Sequence, residues 1–419
     1  MFQETDIVMF KLILMSTIAI GLPVAASACD LPAERPAFTK VQERQNFDTA
    51  AFATVVAQAL GDRYMGYAVT LRGKNGNVIA QVNHGYARSP CENGGEQRFN
   101  GRTQAAIGSV SKVLTAATVI HRAETLQGVS LEDRFQDYLP RRWQSELDAS
   151  LQPVTIRNLL QHRAGFAKSG KTLWDHKYTL RERYQLGAET YIVRAQNIAT
   201  QSNACVPEPV TKRCYANTSF ALWNVSAASL VPAKWAQIED AYSPGEITYE
   251  SYLQVHAYNR YRDIVAKTLF EPVGVIGGCN VFADPERGAY YYDGPMDETG
   301  IDRTEAGRPC AIGGWFLSTR ALSKVVHRIV STREVINDNH ELMFSAGDDR
   351  LVFASRPRTN DGRAISHNGS RWGGQATAEV VVFPNGYVAA AIANSRKGNT
   401  GAGLRDAIID GYNAARGPS

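Results

Sequence analysis

The sequence predicts an α+β protein in which an antiparallel sheet is flanked by helices and interrupted by an inserted, mostly helical lobe. Three observations carry that prediction. The chain opens with a helix-then-hairpin pattern. Strand patterns return only after about residue 350. The stretch between them is dominated by helical periodicity. An α/β lobe is therefore expected from residues 29–105 and 335–419, with a helical lobe over 106–334.

Each element has its own local signal. Residues 30–46 are polar and proline-containing and read as an extended lead-in. Phe47, Phe52, Val55, Val56 and Leu60 recur at helical spacing. Tyr67–Leu71 and Val78–Val82 flank Asn75-Gly76, a strong hairpin-turn dipeptide. Helical patterns follow at 113–123, 155–162, 219–230 and 249–269. Strands are expected at 363–368, 376–383 and 387–393, with Pro384-Asn385-Gly386 as the turn between the last two. A helix over 404–415 closes the chain. Residues 167–213 and 284–309 show no clear element, and long stretches of that kind often form functional rims.

Composition bounds the function. With 419 residues, 44% hydrophobic and 21% charged, the chain is an ordinary globular protein with room for a large core. A net charge of +4, without a basic run carrying interleaved aromatics, gives no reason to expect a nucleic-acid partner. Residues 1–28 read as a secretory signal. Lys11 supplies the positive charge, Leu12 to Val24 the apolar stretch and Ala26-Ser27-Ala28 the cleavage site, with Met9 as an alternative start. The apolar stretch is too short to span a bilayer, so a periplasmic or secreted protein is expected. Cleavage after Ala28 would expose Cys29 to lipidation, but Ala26 stands where lipoprotein signals usually carry leucine, and a disulfide is the favoured fate of Cys29. Six cysteines in an exported chain suggest disulfides, and sequential pairing predicts Cys29–Cys91, Cys205–Cys214 and Cys279–Cys310. No C-x-x-C or H-E-x-x-H occurs, so no metal or other cofactor is expected.

The chemistry centres on Ile107-Gly108-Ser109-Val110-Ser111-Lys112 and the apolar run after it. Ser109 and Lys112 are three apart and share one helix face. A serine hydroxyl needs a neighbouring base, and desolvation can make a lysine into one. Spacing alone is weak, since S-x-x-K is expected about once in a chain of this length. Two further motifs strengthen it, Tyr215-Ala216-Asn217 and, on a C-terminal strand, His367-Asn368-Gly369-Ser370. A tyrosine, with a pKa of about 10, is a poor base alone. Beside one or two cations its phenolate becomes accessible, so the proton would be shared among Lys112, Tyr215 and Ser109.

In that order these motifs resemble the penicillin-recognising serine hydrolases: class C β-lactamases, D-alanyl-D-alanine carboxypeptidases and β-lactamase-like esterases. The resemblance extends from about residue 50 to 395 and includes Leu159-Leu160-Gln161-His162-Arg163-Ala164-Gly165 and Gly313-Gly314-Trp315. It implies a β-lactamase/transpeptidase-like fold and an acyl-enzyme mechanism. Ser109 would be the nucleophile, with Lys112 and Tyr215 moving its proton. Asn217 would hold Lys112 and the substrate amide. His367, Asn368, Gly369 and Ser370 would bind substrate, the Ser109 and Ser370 N–H groups forming the oxyanion hole. His162 reads as a structural residue, and Trp372 as either pocket lining or core.

The chain departs from the family pattern at His367, where many relatives carry lysine. A neutral imidazole is a poor carboxylate anchor, which favours a peptidase, aminopeptidase or esterase over an efficient β-lactamase. The expected function is an exported serine hydrolase acting on a small ester or a D-amino-acid amide or peptide, as a monomer. The alternatives are β-lactam hydrolysis and a catalytically silent cell-wall-binding protein.

Overall fold

The computed structural model describes residues 29–417, apart from 30, 33–34, 45, 145–151, 165–212, 214, 231, 246–248, 305–309, 345–349 and 399–402. The sheet is built from both ends of the chain. β1 (Ala37–Val41), β2 (Gly66–Arg72) and β3 (Val78–Arg88) come from the N-terminal side, and β4 (Ile365–Arg371), β5 (Ala376–Val382) and β6 (Val388–Ala393) from the C-terminal side. Their order is β1-β3-β2-β6-β5-β4, and every pairing is antiparallel. The β2–β6 pairing, from Arg72↔Val388 to Tyr67↔Ala393, joins the two ends.

The hairpin at Asn75-Gly76 forms as expected, with Gly76 at φ +79°, a value that favours glycine. β1 lies in the stretch read as a lead-in. All five of its residues are exposed, so it carries no burial pattern and is held by its ladder to β3.

Helices cover both faces. On one face α1 (Thr49–Leu60), capped by the Asp48 carboxylate accepting from the Ala51 N–H, packs with the C-terminal helix (Leu404–Arg416) over Val69, Leu71, Val381 and Ala389. On the other lie α2 (Ser111–Thr125) and the helix Thr319–Ser331. In α2 every residue from Ser111 to Ile120 is buried, the signature of a helix enclosed on all sides. Thr319–Ser331 sits within the span read as the inserted lobe, yet it packs on β2 and β6, with Arg72 donating to Ser323 Oγ at 3.0 Å. Its apolar positions Leu322, Val325, Val326 and Ile329 follow the 3.6-residue period and are fully buried.

The remaining helices include Ile156–Leu160, Thr218–Ala221, Trp223–Ser229, Pro232–Asp240 and Tyr249–Val265. A small antiparallel sheet of Ala105–Ala106, Gly278–Cys279 and Trp315–Leu317 lies beside α2. Two expected disulfides are present, Cys29–Cys91 and Cys279–Cys310. The Cys205–Cys214 pair and the signal segment lie outside the described residues. Among the described residues no helix is long and apolar enough to cross a membrane.

Candidate active site

Ser109 sits in a single 3-10 turn, Gly108–Val110, which runs directly into α2. Gly108 holds φ +51°, and a Cβ there would lie 2.6 Å from the Ser370 nitrogen. A Cβ on Gly369 would in turn lie 2.9 Å from the Ser109 nitrogen. Both glycines are needed because the main chain of β4 meets the serine turn directly.

Two side chains converge on the Ser109 oxygen. Lys112 Nζ donates to Ser109 Oγ at 3.0 Å, and Tyr215 OH donates to the same oxygen at 3.0 Å. Lys112 also donates to the Ile312 carbonyl at 2.9 Å and stands 5.2 Å from the centroid of the Tyr215 ring. Lys112 is completely buried, and burial pushes its pKa down, partly opposed by Tyr215. Ser109 is only half-buried, unlike its neighbours Gly108 and Val110. The carbonyl of Ile312 is positioned by the segment Cys310–Gly314, which the Cys279–Cys310 disulfide ties to the small sheet.

Asn217 was expected to hold Lys112, but it makes no hydrogen bond to it. It opens the helix Thr218–Ala221, its carbonyl accepting from the Phe220 and Ala221 N–H groups, and Ile312 takes the place expected for it.

β4 is an edge strand. The Ser366 N–H and carbonyl bond Ser355 and Ala354 outside the sheet, so with a period of two the main-chain groups of Asn368 and Ser370 also point outward. The side chains alternate. Gly369 faces the serine turn, and so does His367, two residues before it. Asn368 and Ser370 turn to the opposite face, lining a cleft with Glu379, Arg405 and Asp406. Those two residues can reach Ser109 only through their backbone.

His367 is buried, its Nδ1 bonded to the Asn368 carbonyl at 2.8 Å. Burial first, then the Lys112 and Arg213 charges, push its pKa down to about 3, so the ring is neutral. With the proton on Nδ1, its buried Nε2 is a lone pair without a hydrogen-bond partner.

His162, read from the sequence as structural, lies in the same cluster. Its ring is 4.5 Å from that of Tyr215 and 5.0 Å from that of Phe220. Trp372, just past Ser370, is half-buried at φ +50°, packed 4.6 Å from Tyr291 and 4.2 Å from the Arg371 guanidinium. Part of the unpatterned stretch 284–309 is an anchor. Tyr291 OH accepts from the Ala106 N–H at 2.8 Å, three residues before Ser109, and Tyr292 OH accepts from the Ser89 N–H at 2.8 Å. The stretch 167–212 lies outside the described residues. Among the described residues no group of three or more His, Cys, Asp or Glu side chains is placed to hold a metal ion.

The arrangement can move a proton off a serine and hold charge on an attacked carbonyl. Comparison with known proteins agrees with that architecture. Residues 52–225 match the family model described as Beta-lactamase. Among solved structures, EstCE1, a hydrolase with promiscuous acyltransferase activity, is 15% identical with a TM-score of 0.59, over 88% of this chain and 99% of its own. A β-lactamase/D-alanine carboxypeptidase from Yersinia pestis, complexed with citrate, is 14% identical with a TM-score of 0.57, over 87% and 98%. An octameric penicillin-binding protein homologue from Pyrococcus abyssi is 16% identical with a TM-score of 0.57, over 86% and 76%. At such identities the likeness is one of fold, and the fold is the β-lactamase/transpeptidase-like one expected from the sequence. A search of curated proteins returned no match.

Proposed function

We propose that the chain is an exported serine hydrolase that forms an acyl-enzyme on Ser109 from a neutral small ester or a D-amino-acid amide. The observation that carries this reading is the convergence of Lys112 Nζ and Tyr215 OH on Ser109 Oγ, each at 3.0 Å.

In the proposed cycle the serine proton passes to the Lys112–Tyr215 pair as Oγ bonds the carbonyl carbon. A lysine whose burial favours the uncharged amine can receive it. The carbonyl electrons move to oxygen and are held by the Ser109 and Ser370 N–H groups. Collapse expels the alcohol or amine, which takes the proton back from the pair. Water then attacks the acyl-enzyme, giving its proton to the same pair, and the acid leaves as Ser109 recovers its hydrogen. Macroscopic pKa values would belong to the pair.

His367 shapes the substrate. A buried imidazole with a pKa pushed down to about 3 offers a lone pair and no positive charge. It suits a neutral or amine-bearing group better than a carboxylate, which speaks against an efficient β-lactamase. The test compares p-nitrophenyl acetate, D-alanine p-nitroanilide and a chromogenic cephalosporin with wild type and Ser109→Ala. Wild-type turnover of the first or second that vanishes in Ser109→Ala supports the reading; turnover retained in Ser109→Ala refutes it.

Export rests on the residue 9–28 pattern and on the disulfides Cys29–Cys91 and Cys279–Cys310. Residues 1–28 fused to alkaline phosphatase should give active enzyme outside the cytoplasm, and an inactive fusion would refute export. Sedimentation would test the expected monomer.

A further inference from the structure

His162 takes no part in the proposed proton transfer, yet its ring is placed against Tyr215. It follows the helix Ile156–Leu160, whose capping box links Thr155 and Asn158. Its backbone takes φ +59°, a left-handed value uncommon outside glycine, asparagine, aspartate and histidine. Its own N–H donates to the Leu159 carbonyl, and the next N–H, of Arg163, donates to the Asn158 carbonyl. The ring so directed is fully buried.

Two contacts leave that ring toward the site. Nδ1 accepts the Ala216 N–H at 3.3 Å, fixing the main chain one residue after Tyr215. The ring centroid lies 4.5 Å from that of Tyr215, with the planes at 37°, and 5.0 Å from that of Phe220. Backbone and ring of Tyr215 are therefore both set by one imidazole. Tyr215 OH must stay within bonding reach of Ser109 Oγ, and a shift of about 1 Å at a reacting group can cost on the order of 100-fold in rate.

We infer that His162 is a positioning residue for Tyr215: its Nδ1 acceptor and its ring together hold the phenol in line with Ser109. The inference rests on the reading of Ser109, Lys112 and Tyr215 as the acyl-transfer group. His162 stays uncharged in this role. Burial, Lys112, Arg213 and His367 all push its pKa well down, and a neutral ring is what an Nδ1 acceptor requires.

The test combines kinetics with a probe on Tyr215 itself. His162→Asn keeps an acceptor near the Nδ1 position and tolerates the left-handed backbone. His162→Ala loses both acceptor and ring, and His162→Phe keeps a ring but loses the acceptor. With p-nitrophenyl acetate, His162→Ala and His162→Phe should lose at least about tenfold in kcat with KM changed less than about threefold, and His162→Asn, which restores the acceptor but not the ring, should recover part of the loss. Fluorine NMR of 3-fluorotyrosine placed at position 215 should show a shifted or broadened resonance in His162→Ala and His162→Phe that returns toward wild type in His162→Asn. A resonance unmoved in both the Ala and Phe variants, or a His162→Asn variant as impaired as His162→Ala, overturns the inference. Should His162→Ala not fold, His162→Phe carries the same expectation. If the resonance moves as expected but wild type hydrolyses neither ester nor amide, His162 still positions Tyr215 and the hydrolase reading is what fails.

Discussion

The two faces of the sheet are equally well buried but hold opposite chemistry. The α1 face is almost wholly apolar. Phe52, Val56 and Leu60 meet Leu71, Val381 and Ile408, and the Phe383 and Tyr412 rings stack 3.8 Å apart. A buried carboxyl on this face, Glu379, is pushed up to about 7 by burial, and so tends to the uncharged acid. The α2 face buries bases, Lys112 and His367, with His162 close by, each pushed toward its uncharged form. A buried neutral acid can only give up a proton, and Glu379 lies on the face away from Ser109. A buried neutral base keeps a lone pair, and beside Ser109 that lone pair is a place for a proton to go. Desolvation alone does not make a site; the sign of the group desolvated and the nucleophile beside it do.

The comparison breaks most visibly at Ser109. Ser109→Ala should lower ester turnover by at least about 10³-fold while leaving the thermal midpoint within a degree or two. Tyr215→Phe should lower it by about 10² to 10⁴, since it removes the proposed proton-transfer group and leaves packing intact. Both are read from steady-state kinetics beside thermal unfolding. On the apolar face the pattern should invert. Phe52→Ala should cost about 3–5 kcal/mol of stability in urea unfolding, with the acylation rate per folded molecule unchanged. A large rate loss there would mean that the two faces are not separable.

The dependence of stability on pH differs in sign between the faces. His367 falls from 6.5 unfolded to about 3 folded, and His162 is lowered too. Their contribution is present above pH 6.5 and is lost as pH falls below it, because the unfolded chain takes up protons that the folded one refuses. The slope is about 1.4 kcal/mol per pH unit for each imidazole while it lasts. Glu379 is raised from 4.5 to about 7, so its contribution is present below pH 4.5 and lost as pH rises through 7. Urea unfolding of wild type and Glu379→Gln between pH 5 and 8 separates the terms. The variant should show a steeper rise of stability with pH, and an unchanged slope would contradict the burial assigned to Glu379.

Much of this was legible in the residues. The hairpin at Asn75-Gly76, the long helices and the three C-terminal strands announced themselves by turn chemistry and period. Ser109, Lys112 and Tyr215 were legible as motifs, and the structure brings them together. What was not legible has physical reasons. β1 is exposed along its whole length and is defined by backbone pairing. The strands of the small sheet are two or three residues long, too short for any period. The Ile312 carbonyl that receives Lys112 is a main-chain group, which no side-chain pattern encodes. The outward turn of Asn368 and Ser370 follows from the alternation of a strand whose buried face was not known in advance. The helix Thr319–Ser331 was not expected from the sequence, although its buried positions Leu322, Val325, Val326 and Ile329 recur at helical spacing, and its place on the sheet needed the structure.

On the proposed reading, burial and convergence activate Ser109 among all the serines of the chain. The most direct test of that reading is intact-protein mass after brief exposure to a fluorophosphonate, with the adduct mapped to a peptide. A single phosphonyl adduct on Ser109, absent in Ser109→Ala and slowed in Tyr215→Phe, is the predicted result. An adduct on another residue, or labelling as fast in Ser109→Ala as in wild type, would contradict it.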